Sequence, residues 1–463
     1  MPTQPPVPAG LTLAPFRALR YAPDVPGGAA AVTAPPYDVI DDRRWDTLAA
    51  ASPANVVHLI LPRANGAGDN ATAAGSGQPA GSGQPAGSGD ADRYAAAAAT
   101  LREWRARGWL TPDRSDALYV YEITEAAGHT VRGVLGAVGL TGPDAGIVLP
   151  HENTMAGPVA DRLALATATE ADLEPIFLLY DGGGAASELV GELPGQAQPV
   201  LDVTDDTGVR HRLWHEGRPE VLAAVAADLL PRRAVIADGH HRYATYLQHQ
   251  AACHAAARGP GPWDLGLALL VDSTYGPRVE AIHRIVYGIS FDDAVARASP
   301  VGARALPNPR EGWLAELDAA RSKSEPVFVL ADSQRAVLIG PGDPQRIAAA
   351  VLDGAHRSPA WAALDVTVAH RWLIPHVLGV DDTEANVGYA HDLDEVLAAV
   401  DEARRRGVPA VALLLAPTPT ADVLAVAAAG ERMPRKSTLF VPKPRSGLLF
   451  RAWHDQGDAV AAR

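Results

Sequence analysis

Two periods of apolar and polar positions run along the chain, and together they predict short strands mixed with helices. Apolar residues at helical spacing cover 94–107, where Gly108 ends the helix. Two strand-like segments on either side of a glycine-containing turn predict each of the hairpins at 118–140 and 202–214. Strands and helices follow one another without a regular strand–helix–strand rhythm. The pattern therefore predicts an α+β (mixed α/β) fold with mixed sheets and packed helices.

The last part of the chain continues this mixture. It is predicted to contain a strand at 279–287, a hairpin at 327–339, helices near 344–353 and 359–378, a strand at 408–415 and a helix at 421–429.

The length of 463 residues predicts more than one hydrophobic core. Residues 64–92 contain GSGQPA twice and then GSGD, a composition that cannot bury enough apolar surface to fold. We expect this segment to be a disordered insertion rather than a linker between domains. The predicted organisation is a domain at 1–300 that carries the insertion, followed by a C-terminal α/β domain at 301–463.

The composition narrows the class of protein. A net charge of −14 argues against non-specific binding to nucleic acid or to an anionic membrane. No apolar run reaches the ~18 residues that a membrane span needs, and the first residues do not resemble a secretory signal. The single cysteine, Cys253, excludes an internal disulfide and a cysteine-based zinc site. We expect a cytoplasmic protein.

The most informative segment is RAVIADGHHRYATYLQHQ at 233–250, which predicts a buried strand, a tight turn and a helix. The turn and the start of the helix consist of Asp238, Gly239, His240, His241 and Arg242. Backbone N–H groups at a helix start favour an anion, whereas basic side chains there do not stabilise the helix dipole. A bound phosphate or nucleotide would account for them. Asp238 is predicted to be either the helix N-cap or a general base or magnesium ligand.

A second cluster follows two prolines near the N-terminus. Pro35-Pro36 fixes the backbone ahead of Tyr37 and Asp38, which makes this pair a candidate for the site. The alternative is a plain helix entry capped by an aspartate at 41 or 42.

A third cluster follows a predicted strand at 146–149 and contains His151, Glu152 and Thr154. Polar residues at a strand end are typical of ligand sites. The HExxH pattern of a zinc protease is absent. Arg162, on the following helix, is a further candidate, and the alternative is that it forms a structural ion pair with Asp161.

A fourth cluster, the basic loop at 430–438, brings positive charge into an acidic protein and continues to Lys443. Arg435, Lys436 and Ser437 suit an anionic substrate. The GxxxxGK frame of a P-loop is absent. The alternative is a solvated basic loop.

Taken together, APPYDVI, PHENT with its DRLAL helix, ADGHHRYAT and ERMPRKSTLFVPKPRSG resemble the bacterial family catalogued as domain of unknown function 1015. The motifs occur in the family's order, from the N-terminus to about residue 450. The family name supplies no activity.

The motif at 238–242 is similar to the phosphate-binding motif of the ParB/sulfiredoxin superfamily, and it most resembles that of the free-serine kinases. This resemblance implies a ParB/sulfiredoxin-like core. It also implies that Asp238 accepts the hydroxyl proton while His241 and Arg242 contact phosphate. His240 stands where sulfiredoxins have their nucleophilic cysteine, so sulfinic acid chemistry is not expected.

We therefore hypothesise a phosphate- or nucleotide-binding enzyme, a phosphotransferase acting on a small hydroxylated metabolite such as serine. Its cofactor would be Mg²⁺ with ATP or ADP, and its partner a small anionic or nucleotide ligand; homo-oligomerisation stays open. The expected catalytic residues are Asp238, Glu152 and His151, and the expected phosphate-binding residues are Gly239, His240, His241, Arg242, Arg435, Lys436 and Ser437. One alternative is a nucleotide-binding regulator that does not bind DNA directly. Another is a metal-dependent hydrolase with ligands His151, Glu152, His240 and His241.

Overall fold

The computed structural model describes residues 5–63, 88–307, 309–321, 326–340, 342–352, 354 and 356–456. The insertion predicted at 64–92 lies outside the described residues as far as residue 87. A helix spans Ser88–Ala106, so residues 88–92, the last of the predicted insertion, are helical. Within the described ranges, no helix is both long and apolar enough to cross a membrane.

Short strands and helices follow one another along the described chain, which confirms the predicted mixed α/β class. The strands are β1 (Leu13–Ala14), β2 (Leu19–Tyr21), β3 (Leu110–Pro112), β4 (Leu118–Thr124), β5 (Thr130–Gly139), β6 (Val148–Leu149), β7 (Ala171–Asp172), β8 (Ile176–Tyr180), β9 (Leu201–Thr204), β10 (Arg210–Glu216), β11 (Ala234–Asp238), β12 (Leu265–Asp272), β13 (Arg278–Glu280), β14 (His283–Tyr287), β15 (Ala303–Ala305), β16 (Phe328–Ala331), β17 (Ala336–Ile339), β18 (Val387–Ala390), β19 (Ala410–Leu414), β20 (Leu439–Val441) and β21 (Arg451–Ala452).

The α-helices are α1 (Gly28–Val32), α2 (Asp42–Ala51), α3 (Val57–Ile60), α4 (Ser88–Ala106), α5 (Ala156–Thr169), α6 (Gly184–Gln196), α7 (Pro219–Leu229), α8 (His240–Ala255), α9 (Phe291–Ala298), α10 (Trp313–Arg321), α11 (Pro344–Leu352), α12 (Pro359–Ala362), α13 (Asp365–Val368), α14 (Leu393–Arg405) and α15 (Thr420–Ala428). A π-helix at Ala369–Val377 follows α13 directly.

The chain divides into two compact units whose boundaries differ from the predicted ones. The first unit comprises Met1–Pro150, Thr154–Pro277 and Pro442–Arg463, and the second comprises His151–Asn153 and Arg278–Val441. The sequence had suggested a boundary at residues 300 and 301. The last segment returns to the first unit because β21 pairs with β7. There the buried guanidinium of Arg451 lies 2.9 Å from a carboxylate oxygen of Asp172.

The large sheet of the first unit is mixed, with the strand order β6-β11-β8-β12-β5-β4-β10-β9 and β1 added to β5. Strands β6 and β11 are parallel, as are β8 and β12, and β11 runs antiparallel to β8. Apolar residues of the sheet pack against α6, α7 and α8 in one core, represented by Leu178, Val225 and Tyr243. A second core in this unit joins helices α1 to α5. Both predicted hairpins are present, as β4–β5 and β9–β10.

The second unit contains a six-stranded sheet with the order β15-β17-β16-β19-β14-β18, and every described neighbour pair in it is antiparallel. The single strand predicted at 279–287 is wrong, because β13 pairs with β20 whereas β14 pairs with β18 and β19. The helix predicted at 359–378 is also divided, into α12, α13 and the π-helix. Pro375 lies in the π-helix, and a proline cannot make the regular backbone hydrogen bond of an α-helix.

Candidate functional site

The candidate site in the first unit begins where β11 ends and α8 starts. The N-cap of α8 is Gly239, whose φ of 92° lies in the left-handed region that glycine adopts without strain. The cap has no side-chain hydrogen bond. The interpretation of Asp238 as the N-cap is wrong, because Asp238 is the last residue of β11 and its carboxylate bonds elsewhere. A helix start capped by glycine, which has no side chain to accept from the first N–H groups, is suited to an anion.

Helix α5 begins beside the start of α8. The imidazole Nε2 of His241 accepts a hydrogen bond of 3.1 Å from the backbone N–H of Met155, the N-cap residue of α5. One turn further on, the hydroxyl of Thr245 donates to the carbonyl of Val159 at 3.2 Å. Because the contacts advance by four residues on both helices, α5 and α8 run in the same direction. Their positive dipole ends therefore lie side by side.

Lys443 joins two carboxylates at this helix start. Its ammonium Nζ lies 2.6 Å from Oδ2 of Asp38 and 3.1 Å from Oδ1 of Asp238. The exposed fraction of the side chain is 14% for Lys443, 37% for Asp38 and 18% for Asp238. Asp38 is therefore the most accessible of the three side chains. These residues come from three distant parts of the sequence. Their side chains form an ionic cluster that the fold, and not the local sequence, brings together.

The charges shift the pKa values of the central groups in opposite directions. Burial alone would raise the pKa of Asp238, yet the neighbouring charges of Lys443 and Arg242 hold it well below its usual range. Burial alone would lower the pKa of Lys443, and the two aspartates raise it above its usual range. Asp238 is therefore ionised at neutral pH and is a poor proton acceptor in this arrangement.

Arg242 supports the site from within. Its guanidinium is buried, donates to the carbonyl of Pro175, and donates from Nη2 to Oδ2 of Asp238 at 2.6 Å. The expectation from sequence was that Arg242 contacts phosphate. In the structure its hydrogen bonds instead fix the end of β11, because the side chain folds back under the turn and packs against Gly239.

The segment that carries Lys443 is anchored by its next residues. The buried guanidinium of Arg445 lies 2.7 Å from a carboxylate oxygen of Asp205 and donates to the hydroxyl of Thr33 at 2.8 Å. The hydroxyl of Ser446 donates to Oε1 of Glu174 at 2.6 Å. The backbone beyond Lys443 is thereby held in place, whereas the lysine side chain reaches toward the helix start.

The predicted candidates Tyr37 and Arg162 lie in the same unit and contact each other. The guanidinium of Arg162 stacks 4.3 Å from the centre of the Tyr37 ring and donates to the carbonyl of Ile60 at 2.6 Å. Burial raises the pKa of Tyr37 to about 12. Its backbone N–H donates to Glu174, the carboxylate that also holds Ser446. Thr154 is exposed and precedes α5.

The aspartates do not form a magnesium site in this arrangement. The ammonium of Lys443 lies between Asp38 and Asp238, where a bridging cation would have to bind. In the ranges that the structure describes, no group of three or more His, Cys, Asp or Glu side chains is placed to hold a metal ion.

The predicted residues His151 and Glu152 belong to the second unit, where they contact the basic loop. His151 is fully buried, its Nε2 lies 2.9 Å from the hydroxyl of Thr438, and its carbonyl accepts from the N–H of Met433. A carboxylate oxygen of Glu152 accepts from the backbone N–H of Ser437 at 3.3 Å. Because His151 is enclosed, it shapes the loop and does not contact a ligand in this arrangement.

The basic loop itself is exposed at Arg435 and Lys436, whereas Ser437 is buried. Arg435 is paired with Glu384, and Lys436 adopts a positive φ of 53°. The hydroxyl of Ser437 donates to the carbonyl of Pro434 within the loop.

A buried network lies beneath the loop. Nη2 of Arg284 donates to the carbonyl of Lys436 at 2.9 Å, and Nε of Arg284 donates to His370 at 3.1 Å. The other ring nitrogen of His370 lies 3.0 Å from Asp382. His370 is the second residue of the π-helix, an element that is frequent at functional sites.

Reasoning from sequence missed Glu174 and Arg445 and assigned Lys443 to the basic loop. Lys443 lies between Pro442 and Pro444, and these two prolines are the signal that could have separated it from the loop, because prolines restrict the backbone beside it as they do ahead of Tyr37. The glutamate offered no comparable signal, since it is a single carboxylate before a buried strand.

The chain belongs to a recognised protein family. The model of the family described as "Protein of unknown function (DUF1015)" matches residues 13–367, which is more than half of the chain. The chain is therefore a member of this family, as its sequence motifs predicted. A comparison with the curated proteins finds no match.

Several solved structures are similar over most of their length. A free serine kinase in complex with AMP is 14% identical, with a TM-score of 0.30, and the match covers 67% of this chain and 87% of that chain. SbnI with a C-terminal truncation, from Staphylococcus aureus, is 11% identical, with a TM-score of 0.33 and coverage of 70% and 90%. A conserved hypothetical protein from Pyrococcus furiosus is 14% identical, with a TM-score of 0.30 and coverage of 67% and 90%. TM-scores of this size do not establish a shared fold, so these similarities assign neither fold nor activity.

Proposed function

We propose that this protein is an enzyme that binds a nucleotide or another phosphate ester and transfers a phosphoryl group on a small hydroxylated metabolite such as serine. The observation that carries the proposal is the pair of parallel helix starts, α5 and α8, joined through His241 and Met155 beside an ionic cluster. Two aligned dipole ends and a lysine favour a phosphate at this position.

Phosphoryl transfer requires positioning and charge stabilisation more than covalent chemistry by the protein. The first unit offers an anion-binding helix start and two carboxylates, Asp38 and Asp238, within reach of one ammonium. The choice of serine rests on the likeness of the motif at 238–242 to that of the free-serine kinases. No step is assigned to magnesium, because Lys443 occupies the position between the aspartates.

The basic loop of the second unit is proposed as a second anion-binding element. One observation in support is that the side chains of Arg435 and Lys436 are exposed. The other is that the buried guanidinium of Arg284 donates to the backbone carbonyls of both residues and so holds the loop from beneath. Glu152 and Ser437 are proposed to shape this loop. The roles expected from sequence for His151 and Arg242 are revised to structural support.

The test is calorimetric titration of ADP and ATP into the wild-type chain and two variants. His241→Asp places a carboxylate at the proposed phosphate position, and Gln248→Asp makes the same charge change two turns further along α8, where the side chain is exposed. We expect His241→Asp to weaken nucleotide binding at least tenfold and Gln248→Asp to leave it unchanged. Equal binding by all three proteins would place the nucleotide elsewhere.

Turnover is then measured by ³¹P NMR with serine and ATP or ADP, with O-phosphoserine as the expected product. Nucleotide binding without any phosphorylated product from serine or related hydroxy acids would favour the second candidate function, a nucleotide-binding regulator. The observation that favours this alternative is the ion pairing of both aspartates, since Lys443 lies beside each carboxylate and Arg242 also contacts Asp238.

A further inference from the structure

The ionic cluster is asymmetric, and this asymmetry separates the roles of its two carboxylates. Asp238 contacts two cations, since Arg242 binds one carboxylate oxygen and Lys443 the other. In the part of the chain that the structure describes, Lys443 is the hydrogen-bonded cation of Asp38, at 2.6 Å. If Lys443 moves, Asp238 keeps a partner and Asp38 loses its own.

We propose that Lys443 is the cation that contacts the transferred phosphate, and that its shift from Asp38 to this phosphate frees Asp38 to accept the proton of the attacking hydroxyl. This inference rests on the proposed function and adds to it a phosphate ligand and a base. A lysine ammonium has three donors on a flexible stem, so it can contact a phosphate oxygen while keeping Asp238.

The surroundings of Lys443 permit such a shift. Pro442 and Pro444 restrict the backbone on both sides, and the buried Arg445 fixes the next turn of chain on Asp205 and Thr33. The movement is therefore confined to the lysine side chain. Asp38 is the more exposed of the two aspartates, at 37%, and lies in a short 3-10 helix, Tyr37–Val39, that follows two prolines, so an acceptor substrate can approach it.

The proposed step balances. As the bond forms between the substrate hydroxyl oxygen and the terminal phosphorus of a nucleoside di- or triphosphate, the hydroxyl proton passes to Asp38. The bond between that phosphorus and the bridging oxygen breaks, and the electron pair leaves with the shortened nucleotide, whose new charge lies near the ammonium of Lys443. Asp38 then releases its proton to solvent. Asp238, held by Arg242, stays paired with the ammonium of Lys443 while that ammonium shifts from Asp38 to the phosphate.

The experiment compares binding and turnover in four variants. Lys443→Met removes the charge, Lys443→Arg keeps it, Asp38→Asn removes the base, and Arg210→Met removes an exposed arginine that is paired with Asp202 elsewhere in the unit. Binding of ADP is measured by calorimetry, turnover by ³¹P NMR with serine and the nucleotide, and folding of each variant by circular dichroism.

We expect Lys443→Met to weaken ADP binding at least tenfold and Lys443→Arg to restore most of it. Asp38→Asn is expected to bind ADP at least as tightly as the wild type, because Lys443 is released, while its turnover falls at least a hundredfold. If Asp38 had a purely structural role, its replacement would lower ADP binding and turnover together. Arg210→Met should match the wild type in both.

Two results would overturn the inference while leaving the proposed function intact. One is wild-type affinity in a folded Lys443→Met variant, and the other is full turnover in Asp38→Asn. Absence of ADP, ATP and inorganic phosphate binding by the wild type would instead remove the proposed function, and the inference with it. If Lys443→Met does not fold, the affinity of Lys443→Arg and the turnover of Asp38→Asn decide the matter.

Discussion

The imidazole of His241 accepts the backbone N–H of Met155 at 3.1 Å, and so one side chain links the starts of two parallel helices. This contact fixes Nε2 as an acceptor, and it places the ring at the position proposed for phosphate. Both the packing of the helices and the geometry of the anion site therefore depend on the same ring.

We expect His241→Ala to lower the free energy of unfolding by about 1 kcal/mol, the net value of one hydrogen bond, and to weaken phosphate binding. His241→Gln should recover part of both losses, because its amide oxygen can accept the Met155 N–H. The measurements are urea unfolding and titration with inorganic phosphate. Equal stability and affinity of His241→Ala and wild type would show that the contact is incidental.

Arg242 gives the second prediction, which concerns stability rather than affinity. Replacing this guanidinium by methionine leaves Oδ2 of Asp238 and the carbonyl of Pro175 without the donor that Arg242 provides, although Lys443 still contacts Oδ1 of Asp238. We expect Arg242→Met to lower the free energy of unfolding by about 3–5 kcal/mol. Urea unfolding followed by circular dichroism measures the loss.

The matched control for this variant is Arg210→Met, which removes an exposed arginine and should leave the urea midpoint unchanged. If both variants unfold at the wild-type midpoint, the guanidinium of Arg242 does not stabilise the fold. That result would favour the original expectation that Arg242 contacts phosphate.

Local pattern was sufficient to predict much of the fold. The apolar run 234–237 followed by Asp-Gly predicted β11, the turn and α8, because strand, glycine turn and helix start are all determined by neighbouring residues. The hairpin β4–β5 followed from two strand-like segments on either side of Ala127-Gly128, where the φ of Gly128 is 92°. Family membership followed from four motifs in order.

The central contacts of the site could not be predicted in the same way. Lys443, Asp38 and Asp238 meet because β21 returns the last segment to the first unit, and this pairing with β7 involves only short strands without a strong pattern. For the same reason 279–287 looked continuous although its two halves pair with different strands. A local sequence pattern does not indicate which distant strand a segment pairs with.

The depressed pKa of Asp238 makes the third prediction, on acid stability. A carboxyl whose folded pKa lies below its unfolded value, about 3.9, adds stability that is complete above that value. The contribution is lost as the pH falls below about 4 toward the folded pKa. We expect the stability of the wild type to fall more steeply than that of Asp238→Asn as the pH is lowered from about 4 to about 2.

Urea midpoints across this pH range test the expectation. Asp181→Asn is the control, because it makes the same substitution at a carboxylate that is 78% exposed and paired with Arg232. Parallel curves for wild type and Asp238→Asn would mean that Lys443 and Arg242 do not lower the pKa of this carboxyl.

His283 in the second unit provides a prediction with a stated midpoint. Its ring is buried, and Nδ1 lies 3.3 Å from the backbone N–H of Leu415, which donates to it. Burial lowers the pKa of His283 to about 4, with the neighbouring charge of Arg284 acting in the same direction. The unfolded chain binds its proton near pH 6.5. Stability from this residue is therefore complete above about pH 6.5 and declines as the pH falls toward 4, by up to about 3 kcal/mol.

NMR of the histidine ring signals measures this pKa directly. We expect the His283 signal, assigned by its absence in His283→Gln, to titrate near pH 4, or to remain unshifted until the unit unfolds. A His283 midpoint at 6 or above would show that the ring is open to water, and it would remove the physical basis for the expected loss of stability below pH 6.5.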